Sequence, residues 1–272
     1  TRKESSAASD VYKRQLIERS FKVLEHLIQY PEGCPLSALS SALEIPLSAT
    51  HRMLTDLVTM GYVRQRERDG HYMLTIKLAA MGLNYLGTTG VVDVSQPLLD
   101  ELAVQSGELV RLGVVDGDDL IFVAKAQGAR KGLFYDTDMG LSVPLSCSAA
   151  GYAWLSTLSD DDAISKVSRQ GLGKPENYGP KAPTTLAGVS AQIKAARKRG
   201  FSLIVEVFAP AMSAMAAPVR GVDGTVIGVV TIAGPLVRLT KARMEALGPL
   251  LQSTAHDIGM ASRGSKHFRH AN

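Results

Sequence analysis

Ser48, Ala49, His51, Arg52 and Thr55 stand at spacings that put them on the open side of one helical segment, and their side chains are short or cationic. Such a set suits a duplex groove: small groups can lie against base edges, a guanidinium can bond guanine through two hydrogen bonds, and an acid would meet phosphate repulsion. A little further on, Arg64, Arg66 and Arg68 alternate in a strand-like run. A strand would carry all three on one face, where they could grip backbone phosphate. The plain alternative is a solvated edge hairpin. Its place directly after the helical segment favours a phosphate-gripping wing.

Two helices and a hairpin are needed to hold these groups. Leu36, Leu39 and Leu43 recur at helical spacing, Ile45-Pro46 closes that helix, and Met53, Leu54, Leu57 and Val58 give the next one a buried face. Two short amphipathic helices meeting at a tight turn outline a helix-turn-helix. Tyr62 to Thr75 turns at Asp69-Gly70, a strong hairpin signal. Upstream, Leu16 to Tyr30 is an amphipathic helix whose Ile17, Phe21, Leu24, Leu27 and Ile28 can cap the small core.

The 272 residues exceed the usual size of one domain, and 45% apolar content allows two ordinary cores. A net charge of +4 and a pI near 9.0 are too mildly basic to identify a nucleic-acid binder alone. Cys34 and Cys147 lie far apart with no partner at metal-ligand spacing, which fits reduced thiols used in packing; no metal site or cofactor is expected. Val226 to Val237, the longest apolar stretch, is too short and too broken by glycine and proline to span a bilayer, and no segment reads as a signal peptide, so a cytoplasmic protein is expected.

The chain resembles the IclR-type bacterial transcriptional regulators from about Ile17 to about Gly259. The likeness is carried by Ile17 to Glu25, Ser48 to Leu54, Gly61 to Arg64, Gly107 to Gly117, Ala214 to Val219 and Ile232 to Pro235, in order and at matching spacing. It implies an α+β protein: an N-terminal winged helix-turn-helix, a helical linker, and a C-terminal GAF-like domain with a largely antiparallel sheet. The expected boundaries are a disordered tail at 1–15, the DNA-binding domain at 16–75, the linker at 76–106, the effector domain at 107–261, and a second tail at 262–272. The linker reads as two helices broken at Gly87-Thr-Thr-Gly90, and hairpins are expected at Asp116-Gly-Asp-Asp119 and Gly221-Val-Asp-Gly224.

Enzyme signatures are weak. Gly171-Leu-Gly-Lys-Pro175 meets Pro where a dinucleotide-binding helix should begin and follows no strand, and there is no G-x-S-x-G, P-loop or H-E-x-x-H. Asp160-Asp-Asp162 suits a helix start better than a cation site. The resemblance instead implies a ligand pocket drawn from Phe134, Tyr135, Val143, Ala149, Ala150, Ile204, Ala214, Met215, Thr231 and Ala233. Relatives that bind small keto acids carry an acid, a thiol and paired hydroxyls where this chain has Ile204, Ala214, Thr231 and Ala233. Burying a small hydrated acid needs compensating donors, so the expectation is an aromatic or partly apolar metabolite; packing of an ordinary core is the alternative for each residue singly. The expected function is a DNA-binding regulator, a repressor in preference to an activator, whose partners are a double-stranded operator, a small effector and further copies of itself, as a dimer or a tetramer, with no membrane partner. An enzyme with an appended winged helix, revealed by metabolite turnover, and a winged module for protein contacts only, revealed by salt-indifferent DNA affinity, are the alternatives.

Overall fold

The computed structural model describes residues 2–133, 135 and 139–262. It divides into two compact units, Thr1–Tyr85 and Leu86–Asn272.

The first unit contains α1 (Arg2–Ile28), α2 (Leu36–Ala42), α3 (Leu47–Thr59), and the hairpin β1 (Val63–Gln65) and β2 (Tyr72–Leu74). The helix expected from Leu16 begins at Arg2, inside the segment expected as a tail. Its apolar residues form two stripes, and only one is buried. Val23, Leu24 and Leu27 enter the core with Leu39, Met53, Leu54, Leu57, Val63 and Tyr72, whereas Ile17, Phe21 and Ile28, expected to cap it, are exposed. At about 100° per residue, Val23 and Leu27 point roughly a third of a turn from the Ile17–Phe21–Ile28 stripe. Val58, expected on the buried face of α3, is likewise exposed; Thr50 is buried instead and donates its hydroxyl to the Ile45 and Pro46 carbonyls. That bond and Ser40 Oγ donating to Ile45 O at 2.7 Å fix the turn between α2 and α3. Glu44 holds the left-handed φ of 53° that the tight reversal requires.

α4 (Lys77–Thr89) and α5 (Val91–Ser106) are broken at Gly90, whose φ of 68° suits a residue without a side chain. The second unit continues with β3 (Leu109–Asp116), β4 (Asp119–Gln127), α6 (Ala149–Leu155), α7 (Asp160–Gln170), α8 (Leu186–Arg199), β5 (Ser202–Val205), β6 (Met212–Arg220), β7 (Val226–Pro235) and α9 (Lys241–Ala261). Both expected hairpins form, and the sheet has the order β4-β3-β7-β6-β5 with every neighbour antiparallel. One face is covered by α5 and α9 through Leu99, Leu102, Met244 and Leu251, which meet Val110, Met215 and Ile232. The other meets α6 and α8 through Tyr152, Trp154, Val189 and Ile193, against Ala216 and Val229. The protein is thus α+β, and the second helix of the expected linker is part of the second unit's core. Ser159, rather than the aspartates after it, caps α7 by accepting from Asp162 N; Asp160 to Asp162 occupy the first turn.

Candidate functional site

On α3 the burial splits as an inserted helix requires. Thr50, Met53, Leu54 and Leu57 pack inward, while Ser48, His51, Arg52 and Thr55 are exposed and Ala49 is half-buried. The first turn carries no acidic residue. Thr55 Oγ1 donates to His51 O at 3.0 Å, which fixes its rotamer and leaves its lone pairs outward.

The wing differs from the expected row of three arginines. β1 ends at Gln65, so the alternation stops before Arg66 and the chain turns from Arg66 to Asp69. Arg64 is exposed on the strand and Arg68 on the turn, its side chain 83% accessible. Arg66 instead folds back on the loop: its Nε and Nη2 donate to the two Asp69 oxygens at 3.0 and 2.7 Å, with Glu32 at 3.9 Å. The hydrogen bond from Arg66, joined by that of the His71 amide, holds the Asp69 carboxyl down at about 2. Arg66 is therefore a brace inside the wing, and Arg64 and Arg68 are the groups presented outward.

The second unit has a cavity between the α6 face of the sheet and the segments leading to α6. Antiparallel register sets two rows of side chains on that face, of which Arg111, Thr231, Ala233, Ala214 and Ile204 line the cavity. One runs Lys125, Arg111, Thr231, Ala216, Ser202; the next runs Gln127, Leu109, Ala233, Ala214, Ile204. The atom-free space at this site comes to about 470 Å³, open solvent at its mouth included. Of the expected pocket residues, Tyr135, Val143, Ala149, Ala150, Ile204, Ala214, Thr231 and Ala233 line it. Met215 does not: it follows Ala214 on a pleated strand, points to the opposite face, and is fully buried under α5 and α9. Phe134 lies outside the described residues.

Arg111, Phe122, Pro144, Ser148, Phe208 and Met212 also line the cavity. Arg111 is the informative addition, 9% exposed, with its guanidinium 3.8 Å from the Phe122 ring centroid. Its signal was a lone cation within the apolar run Leu109 to Val115. Ser148 starts α6 by accepting from Gly151 N at 2.9 Å and donating to Pro144 O at 2.6 Å, and Ser202 Oγ donates to Ala149 O at 2.6 Å. These bonds pin the helix start above the floor. Burial raises the Tyr135 hydroxyl above its ordinary value, and the charge of Arg111 partly offsets that.

Both cysteines are free and buried, and burial pushes the Cys147 thiol up to about 11, so at neutral pH it is a thiol and a poor nucleophile. Among the described residues no cluster of three or more His, Cys, Asp or Glu could hold a metal ion, and no helix is long and apolar enough to cross a membrane.

Two family models match this chain. The IclR helix-turn-helix domain matches residues 16–67, over α2, α3 and the start of the wing. The bacterial transcriptional regulator IclR C-terminal domain matches residues 83–260, over the sheet and the cavity. The chain belongs to the IclR family. It is similar to the HTH-type transcriptional repressor AllR of Salmonella typhi, 27% identical over 250 residues, covering 91% of this chain and 89% of that protein. The AllR of Escherichia coli K12 is 26% identical over 247 residues, covering 91% and 90%. Among solved structures, the IclR regulator from Alicyclobacillus acidocaldarius has a TM-score of 0.78 at 19% identity, covering 91% of this chain and 98% of its own. An IclR homologue from Microbacterium hydrocarbonoxydans, complexed with 4-hydroxybenzoate, has a TM-score of 0.76 at 19% identity, covering 92% and 100%. The family and these relatives are transcriptional regulators rather than enzymes, and this IclR regulator combines a DNA-binding helix-turn-helix with an effector-binding C-terminal domain.

Proposed function

We propose that this IclR regulator is a cytoplasmic, ligand-responsive repressor that binds a two-fold-related operator as at least a dimer and changes its operator affinity when an aromatic or partly apolar metabolite fills the cavity of the second unit. The partition of α3 into a buried apolar side and an exposed Ser48–His51–Arg52–Thr55 side carries the DNA-binding part, with Arg64 and Arg68 as phosphate contacts. Ile204, Ala214 and Ala233 on the cavity floor support an apolar ligand body, and 4-hydroxybenzoate in a relative of the same fold is of that kind. Repression follows the relatives' names. Self-association is supported by the unburied stripe of α1, where Ile17 and Phe21 line an apolar groove with Met60, Tyr62 and Met81; one recognition helix reads too few base pairs alone.

The test is selection of a binding site from random DNA by the full chain, followed by comparison of Arg52→Ala with wild type on the selected and on scrambled DNA. Loss of a base contact should weaken operator binding by about 1–3 kcal/mol and relax preference at one position per half-site. Equal losses on both DNAs would make Arg52 a phosphate contact, and unchanged binding to both would overturn the recognition-helix assignment.

A further inference from the structure

Thr55 and Thr59 stand one turn apart on the open side of α3, and both are exposed. Threonine is disfavoured at an exposed position inside a helix, because its branched Cβ loses rotamer freedom against the preceding turn. Neither residue fills the core, which Thr50, Met53, Leu54 and Leu57 supply from the other side. Both hydroxyls are turned back onto the helix: Thr55 Oγ1 donates to His51 O at 3.0 Å, and Thr59 Oγ1 donates to Thr55 O at 2.9 Å. The single hydroxyl proton of Thr55 is therefore engaged within the helix, and what the residue offers outward is its methyl and the lone pairs of Oγ1. The crowded χ1 position over the preceding turn is closed to a methyl, so that group lies on the accessible side.

The state of that hydroxyl limits which base edge Thr55 can read. Guanine shows the major groove only acceptors, N7 and O6, which a threonine with its proton engaged elsewhere does not satisfy. Thymine shows a C5-methyl, against which an outward methyl packs and which it shields from water. Adenine N6 and cytosine N4 are donors to which Oγ1 can answer, so the hydroxyl oxygen is the competing contact. A serine offers the same lone pairs and is the better tolerated of the two in a helix; the methyl is all that threonine adds. Recognition helices meet base edges with their N-terminal part, which gives the base contact to Thr55 rather than to Thr59, the last residue of α3. We infer that Thr55 reads thymine by methyl-to-methyl contact, which makes a thymine in each half-site a determinant of operator choice. This rests on the recognition-helix reading above and adds the base that the helix selects.

Binding of the full chain to its selected site, with each thymidine of the half-sites replaced in turn by deoxyuridine, tests this without any variant, because the exchange removes only the C5-methyl. At one position per half-site the loss should be about 4-fold, and about 15-fold with both half-sites changed, the value of one methyl-sized apolar group left in water each time. Thr55→Val keeps the branch and drops the hydroxyl, so it should bind the thymine site within about 2-fold of wild type and still reject deoxyuridine. Thr55→Ser keeps the hydroxyl and drops the methyl, so it should bind the thymine site about 4-fold more weakly per half-site and no longer distinguish the two DNAs. A deoxyuridine scan without effect at any position would overturn the methyl contact. A weakened Thr55→Val beside an unchanged Thr55→Ser would also overturn it, and would assign the hydroxyl oxygen instead. Thr55→Glu should lose binding, because an acid then faces phosphates and acceptor-rich base edges. If that variant binds like wild type, α3 does not enter the groove and the thymine contact falls with the reading it rests on; its loss beside a flat deoxyuridine scan overturns the thymine contact alone.

Discussion

The wing offers the sharpest quantitative prediction, because the structure separates three arginines that the sequence presents as equivalent. Each phosphate neutralised on duplex DNA contributes about 0.9 to the slope of log affinity against log salt. Between 50 and 200 mM salt, one such contact is therefore worth a factor of about 3.5 in affinity, and two per protomer about 12. Arg64 and Arg68 are exposed, whereas Arg66 is engaged by both oxygens of Asp69. Replacing Arg64 and Arg68 together by Ala should lower the slope by about 1.8 per protomer, equally on operator and random DNA. Arg66→Ala should weaken binding by loosening the turn, yet change the slope by less than about half a unit, since less than one ion-releasing contact is lost. Fluorescence anisotropy of labelled DNA across a salt series at pH 7.5 measures both. The Asp69 carboxyl is held at about 2, so the brace is intact there; its contribution is full above the ordinary carboxylate value of 3.8 and is lost only as pH falls through about 2. A slope loss for Arg66→Ala equal to that of Arg68→Ala would refute the brace, and an unchanged slope in the double variant would refute the phosphate role of the wing.

Three further outcomes follow from the second unit. Glu108, with a side chain only 2% exposed, accepts from Arg238 Nε and Nη2 at 2.9 and 2.8 Å and has Arg243 at 3.8 Å; Glu108→Gln should cost about 3 kcal/mol, lowering Tm of this unit by roughly 6–12 °C, and a fall under about 2 °C would contradict it. A Cβ at Gly151 would lie 2.6 Å from the Leu145 Cα and O, so Gly151→Ala should displace the start of α6, destabilising by about 1–3 kcal/mol in urea unfolding, and a neutral result would show that the helix start can yield. Ala233→Trp puts an indole into the floor between Leu109 and Ala214, and should abolish the thermal stabilisation that 4-hydroxybenzoate is expected to give the wild type; a retained shift would place the ligand elsewhere.

Much of this architecture was legible in the residues because local rules govern it. Leu39, Met53, Leu54 and Leu57 mark one face of helices whose period is fixed by backbone geometry, and Asp116-Gly117 and Gly221 to Gly224 mark turns through conformations that glycine tolerates. The exposed side of α3 followed from that period alone, and so did most of the cavity floor once the chain's likeness to its family placed the strands. What only the tertiary structure decided is which of two competing partners each group takes. Ile17, Phe21 and Ile28 lost the core to Val23 and Leu27, because an amphipathic helix with two apolar stripes buries whichever one its neighbours reach. Met215 faces away from the cavity, because its direction depends on pleat register across β5, β6 and β7. Arg66 is bound to Asp69, because the strand ends at Gln65, before the alternation reaches Arg66, and a bidentate partner then lies within reach. Arg111 became part of the cavity only when β4 and β7 closed around β3; in sequence it was a single cation in an apolar strand, and its meaning depends on long-range pairing that no local pattern encodes.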